Sequence, residues 1–314
     1  MHVFATVSDM RRIGLVLDLA TGAVTEVPSR PEFRDAAVVG RAPTRPFGIT
    51  WNEREVYVAN NRQLLVFDHA LAYLRTEATR LQVNTHQLAY RAPYVWAASP
   101  WTNSLIAAPV DGASAEPLEF DVFAQRLRPY TQAEGRKDDD RNHLNSLLWT
   151  PDRFFVAAHN LGAPSFILCF DAATFRLVSI QSDVGLATHG LAYHGGELFW
   201  ISTKTGEIRS DRGYRLPLGR AGFARGFAFD GEHFVVAVSE DRTRAERAGG
   251  DAWVLVFAKD GGTLLADHHL RGCGSVNDLR LLDAADYAHG VAPLWPAQHT
   301  LFGEQLKREA GQGV

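Results

Sequence analysis

The chain has 314 residues and a formal net charge of -4, with no Lys/Arg block long enough to neutralise a run of phosphates, which argues against nucleic acid as a partner. Its two cysteines, Cys169 in FILCFD and Cys273 in RGCGS, rule out a disulfide framework and a CxxC metal site. Nowhere do 18 apolar residues follow one another, and the N-terminal charges come after a short apolar run rather than before it, so the expectation is a soluble, cytoplasmic protein with no membrane partner.

The remaining composition, 46% hydrophobic with 18 Phe, 8 Tyr and 7 Trp, suits a large core of stiff side chains that favour strands. Residues 2 to 27 (FATVSD, IGLVLDLATG, AVTEV) read as three strands lacking an inner neighbour. Five units then repeat one pattern, an apolar strand ending on an aromatic, a tight turn and a second apolar strand. They begin PFGITW (46–51), THQLAY (85–90), NHLNSLLW (142–149), THGLAY (188–193) and ARGFAF (224–229). Each parses into four antiparallel strands, with turns such as DGA, HGG, DGE and KDGG where hairpins need positive φ. SVNDLRLLD near the C-terminus is a lone inner strand, the complement of what residues 2 to 27 lack.

A strand-built repeat of about 40 residues is the signature of a propeller, whose blades bury a face only against their neighbours. The fold expected is all-β, a single six-bladed β-propeller with its last blade closed by N- and C-terminal strands. The blades fall at about 46–83, 85–122, 143–182, 188–218, 224–270 and 277–282 plus 2–27, with residues 285–314 as a C-terminal cap or a contact to a second subunit. In repeat architecture, across nearly the whole chain, it resembles the six-bladed gluconolactonase, paraoxonase and strictosidine-synthase-like proteins. That resemblance implies a calcium or similar ion at the channel mouth held by Glu, Asn and Asp, of which Asn145, Asn277 and Asp278 are echoes. The sequence departs from the pattern in supplying no Glu on an inner strand and in its prominent histidines.

Counting four residues back from each inner-strand aromatic, or from Leu281 in the last blade, gives Phe47, His86, Asn145, His189, Arg225 and Asn277. Five of these six positions are polar, where packing alone would choose apolar residues. Alternation along the strand puts His143 on the same side as Asn145. Two readings of this ring stay open beside a metal centre: hydrogen bonding between blades, and a metal-free acid-base site.

The loops entering the inner strands and those joining the second strand to the third share one face, and all the long insertions lie there. They include residues 123–142 and the loops SPWTNS, HNLGAPS, STKTG and SEDRTRAERAGGD. The run GRKDDDR (135–141) reads as a self-neutralising solvated loop or a lid, and TRAERAGG (243–250) as a locally helical flap. No GxSxG, HExxH, Walker or GxGxxG motif is present.

The function expected is a metal-dependent small-molecule enzyme performing hydrolysis, elimination or isomerisation. His86, His143 and His189 would hold a divalent transition metal: zinc, iron, nickel, copper or manganese. His159, Asn145 and Arg225 are the candidate catalytic residues: His159 as proton shuttle, Asn145 orienting and Arg225 anchoring an anionic group. Trp101, Asn160, Lys204, Glu240 and Asn277 are candidate substrate contacts. The alternative is a non-enzymatic module gripping a peptide or small ligand at the same face.

Overall fold

A computed structural model of the chain describes residues 1–9, 11–30, 33, 46–60, 62–82, 84–110, 112, 114–131, 142–243 and 246–295. Six antiparallel sheets form a six-bladed β-propeller. The innermost strands are Pro46–Trp51, Leu88–Arg91, Leu144–Trp149, Thr188–His194, Phe223–Phe229 and Val276–Leu281. The last of these pairs with His2–Val7, matching Val3 with Leu281 and Ala5 with Leu279, so strands from the two ends of the chain complete one blade.

Alternation explains why the ring must close. Along each strand every second side chain points to one neighbouring blade and the others to the opposite blade. The buried apolar residues accordingly divide into six clusters, one in each seam between blades. Val3, Ala5, Leu279 and Leu281 pack with Val235, Ala237 and Val254 of the fifth blade, whereas Phe4 and Val16 pack with Ile49 and Val58 of the first. An open ring would expose one such face and one strand edge to water.

Two features lay outside the repeat pattern. The second blade has a fifth strand, Arg126–Pro129, paired with Leu118–Asp121 through a turn that puts Gln125 at φ 49°. Part of the supposed insertion 123–142 is therefore an edge strand, and Glu119 binds Arg128 at 2.9 Å across it. The lid or loop of residues 132–141, with Asp138, Asp139 and Asp140, lies outside the described residues, as does most of the cap at 296–314. The described part of that cap, residues 285–295, closes the channel end opposite the long loops: Asp286 accepts the N–H groups of Phe229, Leu281 and Ala288, and His289 binds Thr50 at 2.8 Å. No helix among the described residues is long and apolar enough to cross a membrane.

Candidate functional site

The inner strands are bulged where the polar ring sits. Pairing slips between Pro46 and Ile49, Leu144 and Ser146, His189 and Leu191, Ala224 and Gly226, and at Asp278 and Val276. A bulge turns its extra residue out of the ladder and leaves backbone groups needing partners. Glycine permits two of these turns: a Cβ on Gly190 (φ 61°) would lie 2.5 Å from the Phe227 Cβ, and one on Gly48 would lie 2.7 Å from the carbonyl of His86.

Side chains of the ring supply many of the missing partners, and every seam is stitched. Asn277 donates to the Pro46 carbonyl (2.8 Å), and Asp278 accepts the Ile49 N–H (3.2 Å). Gln87 donates to Asp278 (3.3 Å) and accepts the Leu147 N–H (2.9 Å). Asn145 donates to the Thr188 carbonyl (2.9 Å), while Ser146 accepts the Gly190 N–H (2.9 Å). Thr203 donates to the Ala224 carbonyl (2.6 Å), Ser239 accepts the Val276 N–H (3.0 Å), and Thr50 accepts the Tyr90 N–H (3.0 Å). Hydrogen bonding between blades thus accounts for Asn145 and for one end of Asn277.

The histidines are arranged differently. His86, His143, His159 and His189 form an arc over three blades, with neighbouring ring centroids 5.0, 5.0 and 4.3 Å apart. His143, in the left-handed region at φ 46°, is the half-buried member; the other three are buried. The tautomer of His189 follows from its partners. Thr203 spends its one proton on Ala224, so the Oγ1 that stands 2.8 Å from His189 Nδ1 accepts there, and Nδ1 carries the hydrogen. Nε2 of His189 then accepts from Arg225 Nε (3.2 Å) and faces His159 Nε2 at 3.1 Å. Arg225 in turn donates from Nη1 to Asn277 Oδ1 (2.9 Å).

Burial and neighbouring charge disfavour the protonated form of two members of the arc, His159 and His189. Burial pushes the His159 and His189 imidazoles well below the usual histidine range; His143 and Arg225 add to this at His159, and His159, Arg225, His86 and His143 add to it at His189. One layer further in, burial raises the pKa of Asp278, an effect opposed by Arg280 3.1 Å away and by the N–H groups it accepts. Burial likewise pushes Asp286 up to about 6.

Beneath the arc is a cavity of about 10 Å³, room for about one water-sized group, lined by Phe47, His86, Gln87, Asn145, Ser146, His189, Arg225, Asn277 and Asp278. A far larger one of about 950 Å³ lies at the opposite face between the turn 52–54 and residues 291–295, with Trp51, Tyr90 and Trp295 on its walls. Size and chemistry disagree about which end matters; the chemistry decides, because among the described residues the larger cavity gathers Glu53, Arg54, His69 and Tyr90 as its charged or titratable groups, with no cluster of imidazoles.

The oxygen ligands implied for calcium do not fit an ion here. Asn145 Oδ1 accepts from Ser146, Asn277 Oδ1 accepts from Arg225, and the Asp278 oxygens already take the N–H groups of Ile49 and Leu279, Gln87 and Arg280. As the side chains stand, both nitrogens of His189 are also engaged, and among the described residues no group of three His, Cys, Asp or Glu side chains is set to hold an ion.

The loop residues diverge. Lys204, at the mouth, lies 3.7 Å from Asp241. Glu240 accepts from Arg242 (2.7 Å) and the Asp251 N–H (2.9 Å), folding its own loop. Asn160 closes its loop onto the Pro164 carbonyl (2.9 Å), and Trp101 sits half-buried in the single turn Pro100–Thr102. The flap does contain a turn of helix, Arg247–Gly249. Gln87 was not foreseen and Asp278 was expected only as an echo of a calcium ligand, because strict alternation sends residues next to ring positions away from the channel whereas the bulges bring both inward; Thr203 and Phe223 lie outside the counted ring positions.

No family model and no curated protein matches the chain. Among solved structures it is similar to a chain of a nidogen/laminin complex (11% identity, 89% of this chain, 97% of that one, TM-score 0.59). It is equally similar to a protein of unknown function from Bacteroides caccae (11%, 89% and 97%, 0.59). A luciferin-regenerating enzyme follows at 12% identity, 80% and 83% coverage and a TM-score of 0.53. At these identities the likeness is one of fold.

Proposed function

We propose that the loop-rich mouth binds a small molecule and exchanges protons with it through His159 and the half-buried His143, in an elimination, isomerisation or hydrolysis. The observation that carries this reading is the hydrogen-bonded line His189, Arg225, Asn277 with the His159 ring set 4.3 Å from that of His189. His189 has its tautomer fixed and lines the cavity, and His159 faces it at 3.1 Å, both rings pushed towards the neutral form by burial. Neutral imidazole is the form a general base needs, and a second ring beside it stabilises the proton once taken. The luciferin-regenerating enzyme places an enzyme on a related scaffold, which is an analogy of fold only.

A divalent metal on His86, His143 and His189 is the second reading. What favours it is the neutral form of His189, which is the metal-binding form. It requires Arg225 to release His189 Nε2, since one lone pair cannot serve both.

The test is consumption of compounds from a small-metabolite mixture, followed by proton NMR with and without zinc or manganese. Turnover falling about 100-fold or more in His159→Gln, with a pH profile set by histidine, is expected. Metal-independent turnover untouched by His159→Gln and His189→Gln overturns the acid-base reading. A wild-type protein that consumes nothing but retains a peptide or small ligand at the mouth shows the binding module instead. Metal-dependent thermal stabilisation lost in His86→Ala, His143→Ala and His189→Ala supports the second reading.

A further inference from the structure

Among the described residues, five of the six outermost strands guard their open edge. Val24–Pro28 carries Glu26 and ends on a proline, and Tyr73–Thr76 holds Arg75 in ion pairs with Glu55 and Glu77. Arg126–Pro129 and Arg215–Pro217 each begin on an arginine and end on a proline, and Leu264–Leu270 contains Asp267, His268 and His269. Charge and proline at an edge keep a second chain from pairing with it. Leu177–Ser182, the outer strand of the third blade, reads LVSIQS, six residues with neither.

The same strand is apolar where it meets water: Val178 is 49% and Ile180 56% exposed. Ile180 stands opposite Leu168, and Leu127 of the second blade stands opposite Phe120; Leu168 and Phe120 both belong to the core seam between those two blades. Because paired residues share a face, Ile180 and Leu127 carry that seam outward past its last buried layer. Phe123, its ring 6.4 Å from that of Phe166, and Gln125, whose Oε1 accepts the Leu177 N–H at 2.9 Å, border the strand. Phe123 and Leu127 are themselves 45% and 42% exposed, so four large apolar side chains left in water collect along one stretch of the rim.

The ends of the strand say what covers it. Arg176 precedes it and Asp183 follows it, both are exposed, and neither enters an ion pair among the described residues. A second copy running antiparallel along the edge brings Arg176 of each chain towards Asp183 of the partner subunit, with the uncharged residues between them, so no like charges face each other. We infer that the chain associates with a second copy of itself through the outer edges of Leu177–Ser182. This antiparallel two-fold pairing joins two third blades into one continuous sheet and lays apolar side chains of the partner against Val178 and Ile180, beside Phe123 and Leu127. One six-residue edge and its flanks make an interface at or below about 1,200 Å² in total, so a weak dimer with a dissociation constant of about 1 to 100 µM is expected.

Sedimentation velocity of the full chain from about 1 to about 200 µM tests this, with amide hydrogen exchange read at both ends of the range. A shift from monomer to dimer, with exchange slowed at Leu177–Ser182 in the dimer, is expected. Ile180→Lys puts a charge on the open edge and should weaken association about 10-fold or more. Arg176→Glu sets acid against acid and should weaken it several-fold, more so at low salt. Both residues are exposed, so the melting temperature of the monomer should hold. Arg176→Glu combined with Asp183→Arg restores opposite ends and should recover association, which an antiparallel pairing of these two strands requires. A chain monomeric throughout the range overturns the inference, whether its Leu177–Ser182 amides exchange freely or are protected at every concentration by the chain itself. So does a dimer indifferent to Ile180→Lys and Arg176→Glu, which joins elsewhere, and a double swap that stays as weak as Arg176→Glu overturns the antiparallel register.

Discussion

Asp278→Ala is expected to be among the most damaging single changes in the protein. The Asp278 carboxylate accepts the Ile49 and Leu279 N–H groups and the Gln87 side chain, and it lies 3.1 Å from the fully buried Arg280. Removing one partner of a buried ion pair costs about 3 to 5 kcal/mol, and each stranded buried donor about 1 to 3 kcal/mol. These terms overlap because all the groups share one carboxylate, so a total of about 5 kcal/mol is expected. Asp278→Asn keeps an acceptor oxygen and should lose about 2 kcal/mol. Urea denaturation followed by both tryptophan fluorescence and far-ultraviolet circular dichroism gives the comparison, with the slope checked for change. Adding Arg280→Met to Asp278→Ala should recover part of the loss, since the stranded charge is then gone. An Asp278→Ala protein within about 1 kcal/mol of wild type would refute the claim that this side chain stitches three blades.

Two opposing pH dependences should be separable. Asp286, at about 6 when folded, binds its proton more tightly in the native state, so stability falls as pH rises from about 4 to about 6, and Asp286→Asn should abolish roughly 3 kcal/mol of that fall. His159, His189 and His289 are held well below the ordinary value, so they contribute stability that is present above about pH 6.5 and is lost as pH falls towards their folded values. His289→Gln should flatten that acid limb by up to about 1.4 kcal/mol per pH unit, read from urea midpoints across the range. Gly190→Ala should lower stability by about 1 to 3 kcal/mol in the same assay, because φ 61° and a 2.5 Å approach to Phe227 leave no place for a methyl group.

Much of the ring was legible because its signal repeats. Inner strands ending on an aromatic recur in five units, turn signals separate the strands, complementary strands at the two ends supply the sixth blade, and closure follows from the need to bury both faces of each blade. The strand Arg126–Pro129 was not legible: RLRP is polar and exposed, since an outer edge strand has no second blade to pack against. At the mouth, the count back from the aromatics found His86, His189, Arg225 and Asn277 because the bulges fall at nearly the same place in successive blades. It missed Asp278 and Gln87, whose inward turn depends on the bulge rather than on alternation. Arg225 was expected to hold a ligand; that it also fixes His189 needed coordinates, since residues 36 positions apart on adjacent blades share no local pattern.

The working end of the channel is tested most directly by mapping NMR chemical-shift changes on the full chain as a mixed library of small anions and neutral molecules is added. Changes concentrated at His86, His143, His159, His189 and Phe223, with the imidazole nitrogens of His159 and His189 reporting neutral rings below pH 6, are expected. Changes confined to Trp51, Tyr90 and Trp295 at the other end, with the histidine arc silent, would contradict the assignment of function to the loop-rich mouth.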